Sequence, residues 1–354
     1  MQSDFLVQFI NGILPARRKS TKGWTSFNAP CCVHRGESAD TRNRGGIIAN
    51  GDGSVSYHCF NCNYKTGFKP GRPLGYKFRK LLNWFGASDN DVRQLVISAI
   101  RLKDLITITE PTALPEPEAV AYKVRPLPAE AQTFMGILEF YQLANRTDYP
   151  HQYMDAIKYV SNRKIDMQRY EFFWTPEIDH KLNYRVVVPF KWQGETIGYT
   201  ARTFVDGIKP KYYTQHEPDF VFNTDQQLKD SKFVIVVEGV FDAMAVDGVA
   251  ILGNECSEQQ ADIIDDLGRE VIVVPDFDIK VNKYDKKVWA GEKLIDQAIE
   301  YGWSVSFPVW SETCKDVGEA VERYGKLFVL KTILDNKQHS KLKIELMKRK
   351  ILNG

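Results

Sequence analysis

Four cysteines crowd into two short segments near the start of the chain, APCCVHRG and YHCFNCNY. Cys31 and His34 form a C-x2-H pair, Cys59 and Cys62 a C-x2-C pair, and 24 residues separate the two. Two ligands three positions apart sit on one knuckle turn and offer adjacent corners of a tetrahedron. Two such knuckles close the four-coordinate shell of a structural zinc. The expected ligands are therefore Cys31, His34, Cys59 and Cys62; Cys32 could replace its neighbour, although only Cys31 has the x2 spacing to His34. A full shell leaves no open position for catalysis. Binding would contribute on the order of 10 kcal/mol to a segment with little core of its own. Trp24, Tyr57, Phe60, Tyr64 and Phe68, with Arg35, Arg42, Arg44 and Lys65, surround the ligands. Aromatics and cations together suit stacking and phosphate contacts to a single strand, and suit covering a metal equally well. His58 is expected to face DNA or solvent.

A second set of residues could do chemistry. Glu238 follows the apolar run FVIVV, and Asp276 and Asp278 follow VIVV. Continuous apolar runs of this length read as parallel strands buried on both faces. Carboxylates at their carboxyl ends face the crevice where such sheets bind ligands, and residues two apart point the same way. Three acids there make an oxygen-rich pocket suited to magnesium or manganese, and two such ions could join or cut phosphodiesters. Asp242, one turn beyond Gly239, could cap a helix or reach the same pocket; Asp285 and Asp316 are weaker candidates whose default reading is surface acid. Arg185, Arg202, Lys209 and Lys211 lie upstream on a strand-rich segment. They are candidates to hold triphosphate and template, provided they share a face with the acids.

These residues must be positioned by recognisable elements. Helices expected over 242–246, 258–267 and 290–301 alternate with the apolar runs, which gives an α/β module with a parallel sheet. YRVVVPF and ETIGYTARTF alternate around Gly194 and read as a hairpin. Residues 129–163 read as one helical stretch. Residues 76–103 read as two helices, the second capped by Asp89. Residues 110–128 contain five prolines and read as a stiff linker. The fold class is multidomain α+β. The division is a zinc ribbon over 1–69, a helical segment and Pro-rich linker over 70–128, a basic α+β subdomain over 129–231, a catalytic module over 232–325 and a basic helical tail over 326–354.

The chain of 354 residues is 43% hydrophobic and 26% charged. No apolar run reaches the roughly 20 residues of a membrane helix. Basic residues follow the first apolar stretch instead of preceding it, unlike a signal peptide. Clustered cysteines without a secretion signal favour metal over disulfides, and a cytoplasmic protein is expected. Net charge is only +2. The ends are basic: Arg17, Arg18, Lys19 and Lys22 around Asp4, then Lys331, Lys337, Lys341, Lys343, Lys348, Arg349 and Lys350 against Asp335 and Glu345. Such ends fit a phosphate path and fit solvated surface as well.

Taken together, the ribbon, the YRVVVPF…GYTARTF segment, PKYY at 210–213, VVEGVFDAMA and VVPDFD resemble the bacterial-type (DnaG-like) primases. The last two resemble the toprim module of that family, and the resemblance spans about 31–325. It implies a DNA primase that makes short RNA primers on single-stranded DNA from ribonucleoside triphosphates. It nominates Glu238, Asp276 and Asp278 as metal-binding acids with Asp242 as their neighbour, and Arg202 and Lys211 as nucleotide or template contacts. KDVGEAVERYG looks like the segment that closes the catalytic core. The family often has Gly between its aspartates where this chain has Phe277. No G-x4-G-K-[ST] loop is present, so the chain is most similar to stand-alone primases of large tailed phages, which act beside a helicase in trans. A toprim-type nuclease and a non-catalytic zinc DNA-binding replication factor are the rival readings.

Overall fold

A computed structural model describes the chain except residues 1–4, 16, 17, 22, 73, 110–121, 176–180, 229, 282–286, 311–313 and 354, and the side chains of 18–21, 103–109 and 353. Asp4, Arg17, Lys22, Asp285 and most of the proline-rich linker lie outside the described residues, as do the side chains of Arg18 and Lys19. The chain is mixed α+β and divides into two compact units, residues 1–119 and 120–354.

The first unit runs α1 (Phe5–Ile13), β1 (Arg18–Thr21), β2 (Trp24–Phe27), α2 (Cys31–His34), β3 (Gly45–Ala49), β4 (Val55–Cys59), β5 (Lys65–Phe68), α3 (Tyr76–Trp84) and α4 (Asp89–Thr109). Its five strands form an antiparallel meander in chain order. Alternation sets the faces: Val55, Tyr57 and Cys59 of β4 are buried while Ser56 and His58 turn away. So small a sheet cannot enclose a core alone. Phe78, Leu81 and Leu82 of α3, and Val92, Leu95 and Ala99 of α4, pack with Phe27, Tyr57, Tyr64 and Phe68. The helices therefore share the ribbon's core. Helix α4 is capped by Ser88 and not by Asp89. The Ser88 hydroxyl accepts from the Asp91 N–H at 3.2 Å while Asp91 accepts from the Ser88 N–H at 3.1 Å, a reciprocal arrangement that satisfies two orphan donors.

The second unit begins with β6 (Gln132–Thr133), α5 (Phe134–Leu143), α6 (His151–Asn162), β7 (Phe173–Trp174), β8 (Arg185–Trp192), β9 (Glu195–Thr203) and β10 (Tyr212–Gln215). It continues with β11 (Phe233–Val237), α7 (Val240–Val246), β12 (Val249–Ala250), α8 (Glu258–Asp266), β13 (Glu270–Val273), β14 (Ile279–Val281), β15 (Lys287–Trp289) and α9 (Glu292–Tyr301). It ends with β16 (Ser304–Ser306), α10 (Val317–Tyr324), α11 (Lys326–Asp335), β17 (Lys337–Gln338) and α12 (Lys341–Asn353). The stretch expected as one helix is split into α5 and α6, because Asn145 takes a left-handed conformation and Pro150 restricts the residue before it.

One sheet, ordered β10-β9-β8-β7-β6, is antiparallel around the expected hairpin; Gln193 and Gly194 both take positive φ at its tip, as a two-residue turn demands. A second sheet, ordered β12-β11-β13-β16-β17, is parallel except at β17. Val234–Val237 of β11 and Val271–Val273 of β13 are buried, as two helix-covered faces require. The two sheets share a core: Val186, Val188 and Phe190 of β8 pack in one cluster with Ile235, Val237, Phe241 and Ile272. The basic C-terminal segment belongs to it as well. Val329 and Ile333 of α11 are buried. Lys337 pairs with Glu270, and Lys348 with Asp296, so part of that charge is balanced within the chain.

Candidate functional site

Two clusters of side chains stand out, one in each unit. In the first, Cys31, Cys32, Cys59 and Cys62 bring their sulfur atoms within 4.8 Å of one another, and they are the tightest such group among the described residues. Helix α2 is a single turn, and its first two residues, Cys31 and Cys32, are both buried. Cys59 ends β4, and Cys62 lies in the turn before β5. Cys31 approaches Cys62 at 3.4 Å and Cys32 approaches Cys59 at 3.5 Å. The Asn61 backbone N–H donates to Cys59 Sγ and its side-chain amide to Cys32 Sγ, both at 3.4 Å. Asp40 fixes the loop between α2 and β3. Its carboxylate accepts from the N–H groups of Ala29, Arg42 and Arg44 at 2.9, 2.9 and 2.7 Å. Burial opposes its charge, yet these donors hold its carboxyl below the ordinary range.

The cluster differs at one position from the ligand set expected from spacing. His34 is exposed and stacks on Trp84, with ring centroids 5.1 Å apart and planes at 4°. Cys32 stands in the cluster where His34 was expected. Spacing alone could not decide this, because it does not reveal which residues of a one-turn helix face the sheet. Burial pushes the Cys31 thiol up, against the hydrogen bond it shares with the Tyr57 hydroxyl at 3.2 Å. Four thiols in one place, three of them buried, are a donor set for structural zinc, whose charge would draw off their protons.

In the second unit, β11 and β13 lie side by side and end level, with Val236 opposite Val273. Glu238 follows the first strand and Asp276 the second. The Asp276 N–H donates to Glu238 Oε1 at 3.2 Å. Asp242, on the first turn of α7, accepts from the Gly318 N–H at 3.0 Å. A methyl group at Gly318 would stand 2.7 Å from Asp242 Oδ1, and one at Gly239 would also strike this carboxylate; both glycines make room for it. Asp316 caps α10, accepting from the Glu319 N–H at 2.8 Å, and lies close enough to disturb both Asp242 and Asp276.

The electrostatics are those of crowded acids. Burial, then Glu238 and Asp316, push Asp276 up to about 7. Burial, with Asp242 and Asp278, pushes Glu238 up to about 6 against its backbone hydrogen bond. Burial with Asp316 and Asp276 raises Asp242 well above the carboxylate range. Asp278 differs: bonded to Lys280 at 2.9 Å and 3.8 Å from Lys315, it is held below the ordinary value. The acids stand wider apart than the thiols, with no three of their ligand atoms within 4.8 Å among the described residues, as unneutralised like charges should.

Cations border the acids. The Arg202 guanidinium lies over the rings of Tyr212 (4.9 Å), Phe241 (5.1 Å) and Tyr159 (5.7 Å). Arg163, at the end of α6, lies over Tyr159 and Phe241 and pairs with Glu322 at 3.3 Å. Burial and the charges of Arg202, Lys315 and Arg163 depress Lys211. Lys211 also feels the charge of Asp316, and Arg202 lies against Phe241, the residue before Asp242. Arg185 does not act this way. It is 1% exposed, and its guanidinium donates to the carbonyls of Ala201, Lys211 and Pro210, so it holds β8, β9 and the entry to β10 together. Lys209 is exposed in the loop before β10.

Three members of this site were not singled out by sequence. Asp316 has the default reading of a surface acid, Lys315 is marked only as the first residue of the KDVGEAVERYG segment, and Arg163 merely ends a helical stretch. Two signals bear on Asp316: the resemblance of KDVGEAVERYG to the segment that closes the catalytic core, and its place at the start of an amphipathic helix, the position of a cap. Phe277, standing where a glycine was expected, stacks on Trp289 with centroids 5.3 Å apart.

No protein-family model matches the chain, and no curated protein does. Solved structures of DnaG-type bacterial primases do. The Aquifex aeolicus primase (zinc binding and RNA polymerase domains) is 18% identical with a TM-score of 0.43, covering 94% of this chain and 83% of that one. The RNA polymerase domain of Mycobacterium tuberculosis DnaG is 16% identical with a TM-score of 0.42, covering 58% and 82%. A DnaG catalytic domain bound to single-stranded DNA is 17% identical with a TM-score of 0.40, covering 57% and 77%. Among the described residues no helix is long and apolar enough to cross a membrane.

Proposed function

We propose that the chain is a DNA primase of the toprim type, joining ribonucleotides on a single-stranded DNA template. One observation carries this reading. Glu238, Asp242, Asp276 and Asp316 gather at the carboxyl ends of two adjacent parallel strands, bordered by Arg163, Arg202, Lys211 and Lys315. Acids without cations would suit divalent metal alone. Cations without acids would suit a phosphate alone. Both on one face suit phosphoryl transfer, in which metal and triphosphate must meet.

The donor set fits magnesium or manganese, since every side chain offered is a hard oxygen ligand and the raised carboxyl groups are those a dication would relieve. Glu238, Asp276 and Asp278 would hold it, with Asp242 and Asp316 close by. Such an ion, when bound, lowers the pKa of an attacking hydroxyl and offsets the charge of a leaving pyrophosphate. Arg202, braced by three aromatic faces, and Lys211 would hold the triphosphate in line. The 3′-oxygen of one nucleotide attacks the α-phosphorus of the next, the bond to the bridging oxygen breaks, and pyrophosphate departs. The depressed Lys211 supports this role, because a polyanion would disperse the repulsion it shares with Arg202, Lys315 and Arg163. The thiol cluster would hold zinc and so keep the ribbon folded to grip template.

The test is incubation of the full chain with single-stranded DNA, labelled ribonucleotides and magnesium, with and without a replicative helicase. Short RNA products that require template are expected. Cleaved DNA in the absence of nucleotides would point to a toprim nuclease instead.

A further inference from the structure

Four thiolates around one zinc ion leave negative charge in excess, and three of the four cysteines here are buried. Charge in such a place is tolerated when hydrogen-bond donors meet it. We infer that Asn61, oriented by Arg44, and Tyr57 are positioning residues of this cluster: they donate to the sulfur atoms, and so set how tightly zinc is held. The inference rests on the zinc reading of the thiol cluster and is independent of nucleotide joining.

The donors divide between the two halves of the cluster. Cys32 and Cys59 approach at 3.5 Å, and Asn61 serves both. Its backbone N–H donates to Cys59 Sγ, and its side-chain amide reaches from the turn before β5 to Cys32 Sγ on α2, each at 3.4 Å. Cys31 and Cys62 approach at 3.4 Å, and the Tyr57 hydroxyl lies 3.2 Å from Cys31 Sγ. A thiolate can only accept, so beside bound zinc the hydroxyl is the donor. Tyr57 is 2% exposed and its ring stacks on Phe27, with centroids 6.2 Å apart. The core therefore aims that hydroxyl.

An amide donates to sulfur only if its oxygen is turned away, and a guanidinium holds it so. Arg44 donates to Asn61 Oδ1. Arg44 is itself fixed at both backbone groups: its N–H donates to Asp40 at 2.7 Å, and its carbonyl accepts from the Phe60 N–H at 2.9 Å. The series Asp40–Arg44–Asn61 thus orients the amide and brings a positive charge behind the sulfurs without occupying a ligand position. Partners that stand behind ligands orient them and tune the metal. The amide would have no ligand to serve on α2 if His34 replaced Cys32.

The test uses the full chain as wild type, Asn61→Ala, Asn61→Asp, Tyr57→Phe, Arg44→Met and, as a matched control, Arg42→Met. Zinc affinity is read by competition with a chromogenic chelator. The bonds at sulfur are read from the sulfur-to-metal charge-transfer band of the cobalt(II)-substituted protein. Asn61→Ala and Tyr57→Phe should each weaken zinc binding by roughly 10- to 100-fold. Both should move the band to longer wavelength, because a thiolate that loses a donor gives up its electrons more readily. Arg44→Met should shift both readouts in the same direction, and Arg42→Met should match wild type. Asn61→Asp separates donation from bracing: its carboxylate still accepts from Arg44 and keeps the loop tied, but offers Cys32 no donor. It should lose at least as much affinity as Asn61→Ala. Wild-type affinity with an unmoved band in both Asn61 variants would overturn the role of Asn61, and the same result in Tyr57→Phe that of Tyr57. A wild-type cobalt spectrum of three thiolates and one imidazole would overturn the inference together with the four-cysteine ligand set.

Discussion

Cys32 and His34 stand two positions apart on one turn of helix and do opposite things: Cys32 turns inward to the other thiols while His34 lies outside against Trp84. Cys32→Ser should therefore abolish bound zinc, and His34→Ala should retain about one equivalent, as measured by metal content of the purified chain. Zinc loss in His34→Ala would restore the ligand set expected from spacing. A second outcome follows from the raised acids. In metal-free protein Asp276 and Glu238 are pushed up to about 7 and about 6. A carboxyl group with a raised folded pKa binds more protons folded than unfolded between its two pKa values. The fold is thus favoured in acid and loses this contribution as pH rises from about 4 to about 7. Asp278 and Asp40 have lowered pKa values, so their stabilisation is present above the unfolded pKa and lost below it. Without divalent cations, the thermal midpoint of the second unit should fall from pH 5 to pH 7.5, and Asp276→Asn should blunt the fall. A midpoint that rises in both proteins would contradict the crowding of these acids. The named acids were legible because each ends an apolar run. Arg163 was not, because it comes from a segment whose nearness to the strands is decided by tertiary packing, and Asp316 was marked only through the resemblance of its segment.

At the scale of elements, the strand–glycine–helix turn after β11 and the start of α10 converge on Asp242. The Gly318 N–H donates to it, and a methyl group at Gly318 would force the Asp242 carboxylate to shift. Gly318→Ala should cost about 1–3 kcal/mol by overpacking, read as a shifted denaturant midpoint. It should also reduce RNA synthesis at least tenfold with single-strand binding little changed. Synthesis at the wild-type rate would remove Asp242 from the centre. The α/β alternation and the β8–β9 hairpin could be read from apolar runs and a turn glycine. The β14–β15 hairpin could not, since three-residue strands rich in lysine carry no periodic signal. The break between α5 and α6 rests on a single left-handed asparagine and a proline, weak marks inside an otherwise helical pattern.

Over the whole molecule, the helices assigned apart from the ribbon share its core, while the hairpin sheet, the parallel sheet and the C-terminal helix α11 share another. Composition marks where apolar faces occur and leaves open which faces meet; the chain gathers them into two compact units. Chelation of zinc should lower the melting of the first unit and leave the second nearly unmoved, visible in calorimetry as one shifted transition beside one fixed. The decisive measurement is a paired assay of wild type and Asp276→Asn on single-stranded DNA with labelled ribonucleotides and magnesium, scored for RNA product and for template binding. Wild type should yield short template-dependent RNA, and the variant none, with binding within about twofold of wild type. RNA from the variant at the wild-type rate, or none from either protein, would contradict nucleotide joining at this carboxylate cluster.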